Sequence, residues 1–219
     1  MNSLSGQPAS ATYDSQRPNH RSRGFTLVEL VTVVAILLII GGFATPITLD
    51  FIHASRIQGT ATDFASLLQV GRIRSIQADT SYKTYILAGP PEEAYVDLNK
   101  NGGTQVDVGD PDIEISGEVA AIAATSAPST PNLKGQFLPS GSTLTVNDGL
   151  STPVVFSPRG LPCTSVSATG GSVCDSSGLA TAFWVFFQDN RTQAWVAVTV
   201  SPAGRIRRWR YIGTVWASY

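Results

Sequence analysis

A chain of 219 residues with 20 glycines, 13 prolines and only 14% charged residues is not a helical bundle; it suits one loop-rich, strand-rich globular domain with appendages. Its net charge of −1 excludes a partner recognised by overall charge, so only the distribution of charge is informative. With two histidines, and two cysteines that form no C-x-x-C pair, a histidine-based catalytic or metal centre is hard to assemble.

Residues 1–23 are rich in Ser, Asn, Gln and Pro and end in Arg17, His20, Arg21 and Arg23. Residues 30–49 then run without a charge. As a helix they extend about 30 Å, the thickness of a bilayer core. The basic flank comes first, which keeps the N-terminus cytoplasmic and exports the rest of the chain. A secretory signal peptide has a shorter apolar core and a small-residue cleavage site after it. An ordinary membrane anchor leaves Glu29 unexplained, because a carboxylate in lipid costs about 3 kcal/mol or more and asks for a partner.

Gly24-Phe25-Thr26-Leu27-Val28-Glu29-Leu30 closely resembles the type IV prepilin motif. The resemblance implies that a prepilin peptidase cuts between Gly24 and Phe25 and that Phe25 is then N-methylated. It also implies that Glu29 pairs with the new Phe25 ammonium, in its own chain or from a neighbouring subunit, which supplies the reason for the charge. Residues 1–24 are then a leader, long for the family. Residues 25–50 become a transmembrane and assembly helix, held in inner-membrane lipid with the remainder periplasmic, before entry into a filament with other pilins or pseudopilins. Gly41, Gly42 and Pro46 interrupt the run. They read either as a place where the helix loosens during assembly, as the resemblance suggests, or as a kink tolerated at the membrane edge.

From Phe51 to Ile76 apolar residues recur at helical spacing, so residues 51–79 read as an amphipathic continuation laid against a sheet. Strands are expected at 83–87, 94–98, 113–115, 143–146, 154–156, 181–187, 195–200 and 205–212, the last three as a meander, and residues 120–134 as a surface loop. A long helix followed by an antiparallel sheet makes an α+β, type IV pilin-like fold, with residues 80–219 as its β-rich domain. Three short elements in this order, Asp97-Leu98-Asn99-Lys100-Asn101-Gly102 with Asp107 and Gly109-Asp110, Phe156-Ser157-Pro158-Arg159-Gly160, and Gly204-Arg205-Ile206-Arg207, resemble the GspH/FimT branch of pilin-like proteins. That branch holds minor subunits of pili and of type II secretion pseudopili.

Asp97-x-Asn99-x-Asn101-Gly102 imitates the opening of a calcium loop, but Val108 stands where a bidentate Glu is required, so a plain turn is the better reading and no metal is expected. Cys163 and Cys174, in an exported domain, are expected to form a disulfide around a Gly- and Ser-rich loop. Eight acids and one base lie between Glu92 and Glu118, whereas after Asp189 there are five arginines and no acid. On a strand, Arg205, Arg207 and Trp209 share one face, and Arg208 and Arg210 the other. Gly204-Arg205-x-Arg207 resembles the DNA-binding motif of FimT, which implies non-specific contacts to double-stranded DNA through Arg205 and Arg207, with Arg208 and Arg210 assisting. The competing reading is an edge strand whose arginines deter aggregation or pair with the acidic 92–118 segment, as in a purely structural pseudopilin. No triad, metal cluster or phosphate loop favours an enzyme, and no cofactor is implied.

Overall fold

The apolar run and the amphipathic stretch fold as one helix, α1, Leu27–Gln77. The structure is a computed structural model and describes residues 24–128, 144–168, 171–174 and 180–219. The expected leader up to Arg23 and the part of the expected surface loop beyond Pro128 lie outside the described residues, as do the side chains of 43–48. The backbone is helical throughout α1, Gly41, Gly42 and Pro46 included. The chain divides into two compact units between Thr45 and Pro46.

In the first unit every described residue from 24 to 42 is exposed, including Leu27, Val28, Val31, Ile36, Leu37, Leu38, Ile39 and Ile40. A helix apolar on all sides has no face to leave in water.

In the second unit, α1 contributes Ile57, Ala61, Phe64, Leu67 and Leu68 to the main core, all at most 3% exposed. The 57-61-64-68 spacing keeps these side chains on one stripe, Ile57, Phe64 and Leu68 each contributing about 1.5–3 kcal/mol. The stripe is shorter than expected, because Phe51, Ile73 and Ile76 at its ends are exposed. One sheet is built from β1 (Tyr82–Leu87), β2 (Glu92–Asp97), β3 (Asp112–Ile115), β6 (Val154–Phe156) and β7 (Pro162–Cys163), in the order β3-β2-β1-β6-β7. The other is built from β4 (Val119–Ile122), β10 (Ala180–Asp189), β11 (Trp195–Val200), β12 (Ile206–Ile212) and β13 (Val215–Ser218), in the order β13-β12-β11-β10-β4, with β5 (Leu144–Asp148) also paired to β10. A hairpin of β8 (Ser165–Ala168) and β9 (Gly171–Cys174) stands apart.

β10 is apolar on both faces, and both are used. Phe183, Val185 and Phe187 enter the main core, where Phe187 meets Phe64 edge-on at 5.3 Å between ring centroids. Ala182 and Phe186 enter a second cluster with Leu144, Ala197 and Trp209.

The α+β expectation holds, with one addition: β5 runs parallel to β10, Leu144 opposite Ala180 and Asp148 opposite Trp184. Residues 119–122, expected as loop from 120 onward, are a strand, Ala-rich and short but aligned with the end of β10, and the Ala121 N–H donates to the Glu92 carboxylate at 2.8 Å. The edge-strand expectation is corrected for the second half of β12 only, where β13 pairs along its outer side from Trp209 to Ile212; Ile206–Arg208 have no partner in that ladder. The expected disulfide is present between Cys163 and Cys174, with a Cα–Cα distance of 5.3 Å.

Candidate functional site

α1 begins with a local device. The Thr26 hydroxyl accepts the Glu29 N–H at 3.2 Å, and the Thr26 carbonyl accepts the Leu30 N–H at 3.1 Å. Thr26-x-x-Glu29 has the spacing of a capping box, and a Thr at the N-cap contributes about 1 kcal/mol. Glu29 therefore lies in the first turn, where the helix dipole favours a carboxylate. Sequence reasoning missed the cap, although the T-x-x-E pattern is legible. A cut after Gly24 leaves Thr26, and so the cap, on the helix. The ammonium freed at Phe25 adds positive charge at the same helix end, and Glu29 is the carboxylate of that turn. Among the described residues no helix is long and apolar enough to cross a membrane; the side chains of 43–48, within the apolar run, lie outside the described residues.

The 97–110 loop accounts for its carboxylates internally. Asp97 is buried and accepts the N–H groups of Lys100 (2.6 Å), Asn101 (3.3 Å) and Gly102 (3.2 Å). Asp110 is buried and accepts those of Leu98 (3.0 Å) and Asp107 (3.3 Å). Asn101 and Gln105 donate to Asp107. Burial, together with the charges of Asp97, Tyr85 and Asp110, pushes the Tyr95 phenol up to about 12. These bonds close the segment on itself as a turn between β2 and β3.

The arginine-rich stretch divides by role. Arg205 precedes β12 and is exposed, and Arg210 is exposed on it. Arg207 is half-buried, opposite Thr199. Arg208 turns to α1, where it donates to the Thr62 hydroxyl at 2.6 Å and stacks 4.9 Å from the Tyr219 ring centroid. Trp209 is buried, its indole N–H on the Thr199 hydroxyl at 2.9 Å, so it packs and offers no face to a base. Pairing with the acidic segment does not occur for Arg205, Arg208 or Arg210 among the described residues; Glu118 pairs instead with Arg56.

A second cluster escaped sequence reasoning. His53 is 4% exposed, and its Nδ1 lies 3.4 Å from both Glu118 Oε2 and Asp189 Oδ2. Burial raises the Asp189 pKa, but N–H and hydroxyl donation from Thr192, N–H donation from Arg191 and the charge of His53 outweigh it, so the carboxyl sits below its ordinary value. His53 is 65 positions from Glu118 and farther still from Asp189, beyond the reach of any local motif.

A family profile described as the prokaryotic N-terminal methylation motif matches residues 19–45. No curated protein and no solved structure matches the chain. The motif supports a type IV pilin-like component of a pilus or pseudopilus. It implies membrane anchoring, processing by a peptidase and assembly with other pilins.

Proposed function

We propose that this chain is a minor pilin of the GspH/FimT type, a filament subunit rather than an enzyme. A prepilin peptidase cuts it between Gly24 and Phe25, its apolar helix holds it in the inner membrane, and it enters a type IV pilus-like filament. The observation that carries this reading is the helix of residues 27–42, exposed on all sides, capped at Thr26 and headed by Glu29 within the methylation motif. A surface of that kind calls for an apolar surrounding, either lipid or the helices of neighbouring subunits. We extend the proposal to weak, sequence-independent binding of double-stranded DNA through Arg205 and Arg207, with Arg208 and Arg210 assisting, supported by the exposure of Arg205 at the head of β12. Contacts to phosphates position a duplex without reading its sequence.

The rival reading is a structural pseudopilin of a type II secretion system without DNA binding. It is favoured by Arg208 and Trp209, which serve packing. Two measurements decide. Intact mass of protein extracted from membranes is expected to start at a methylated Phe25; a start beyond residue 42 overturns the pilin reading. Full-length protein in non-ionic detergent, titrated with labelled duplex, is expected to bind with a dissociation constant of about 10⁻⁴ to 10⁻⁶ M. The Arg205→Gln, Arg207→Gln double variant is expected to bind more weakly, with a shallower salt dependence. No binding at low salt selects the pseudopilin.

A further inference from the structure

Two turns far apart in sequence touch beside the head of β12. In the first, the Gly160 N–H donates to the Ser157 carbonyl at 2.8 Å. In the second, the Gly204 N–H donates to the Ser201 carbonyl at 2.8 Å, and the Arg205 N–H donates to the Ser201 hydroxyl at 3.0 Å. Both glycines are buried and left-handed, with φ of +71° at Gly160 and +74° at Gly204. They are also pressed together: a Cβ on Gly204 would stand 2.6 Å from the Gly160 carbonyl oxygen. Glycine is thus required at both places by conformation and by space.

Arg72, from α1, fastens the junction. Its Nη1 donates to the Gly204 carbonyl at 3.0 Å, and its Nε would lie 3.1 Å from a Cβ on Gly160. The buried Arg72 Nε has no acceptor. Arg159 immediately precedes one of the touching glycines, and Arg205 immediately follows the other. Both are exposed, and among the described residues neither they nor Arg72 takes part in an ion pair. The backbone positions of Arg159 and Arg205 therefore flank one junction that Arg72 fastens, and among the described residues none of the three is in an ion pair. Like charges carried at one junction repel, and an anion relieves the repulsion.

We propose that Arg159 and Arg205 form a single phosphate-binding pair for the backbone of double-stranded DNA, with Arg72 as the residue that positions both turns. The inference rests on the DNA-binding reading above and changes its geometry. The site is a junction of two turns, and Arg159, absent from the closing strand altogether, is half of it. Planar guanidinium forks suit phosphate oxygens, and two forks on adjoining backbone suit neighbouring phosphates of one strand.

The experiment is a titration of the full-length chain, in non-ionic detergent, with labelled duplex across a range of salt. Four proteins are compared: wild type, Arg159→Gln, Arg205→Gln and, as control, Arg191→Gln, an exposed arginine of the turn between β10 and β11. Thermal unfolding of each protein checks that the fold is kept. Each of the first two substitutions is expected to lower the magnitude of the log–log salt slope by about one, with Arg191→Gln unchanged. If Arg159→Gln binds like wild type while Arg205→Gln is weakened, the pair is overturned and the DNA reading stands. If Arg191→Gln loses as much as Arg159→Gln, net charge alone is at work and the pair is overturned. If wild type binds no duplex, the DNA reading itself fails.

Discussion

The two stretches of α1 that flank Pro46 obey opposite rules. From 27 to 42 the apolar residues occupy every side and all are exposed. From 57 to 68 they occupy one stripe and are buried, closing on Phe183, Phe187 and Val198 of the sheet. The second stretch spends its hydrophobic surface inside the chain, and the first keeps it for something outside. Each unit contributes one of these stretches to α1, and among the described residues only the second has its apolar partners within the chain.

The sharpest way to break this contrast is to remove a buried ring. Phe64→Ala is expected to destabilise the β domain by about 3–5 kcal/mol, since it vacates a fully buried site against Phe187. Chemical unfolding followed by tryptophan fluorescence measures it, and a loss below about 1 kcal/mol would mean that the helix is not integral to that core.

Reducing the Cys163–Cys174 disulfide comes next. It closes a short loop, with a sequence separation of 11, worth about 3 kcal/mol in the chain-entropy model. The midpoint of unfolding with and without reductant reports it; equal midpoints would place the 165–174 hairpin outside the cooperative unit.

A smaller effect is expected in acid. The Asp189 carboxyl is held below its ordinary value in the folded protein, so it contributes stability above its unfolded pKa and loses it as pH falls through the lower folded one. Asp189→Asn is expected to lose about 1.5–3 kcal/mol near pH 7 and to flatten the decline of stability below about pH 4. His53, Glu118 and Arg56 face the same cluster. An unchanged acid slope in the variant would show that Asp189 is not responsible.

The smallest change in stability is expected from Leu37→Ala in the exposed stretch, within about 0.5 kcal/mol for unfolding of the β domain. Its effect belongs outside the chain, a reduced incorporation into sheared filaments. A destabilised domain with normal incorporation would reverse the contrast.

The features legible in the chain alone are those whose physics is local. The methylation motif, the periodicity of 57–68 and the strands at 154–156 and 195–200 depend on residues within a few positions of one another. The Cys163–Cys174 pairing obeys the same rule at a separation of 11. Other features exist only in the closed fold. Val119–Ile122 and Val215–Ser218 become strands because β10 and β12 offer unpaired edges, a fact no window of their own sequence contains. The same holds for the arginines, which alternate on paper but take their roles from what lies opposite. Thr62 and Tyr219 claim Arg208, the second core claims Trp209, and Arg72, 132 residues before Gly204, fastens the turn that precedes Arg205. Contacts between residues so far apart form only when the whole sheet closes, so no local pattern records them.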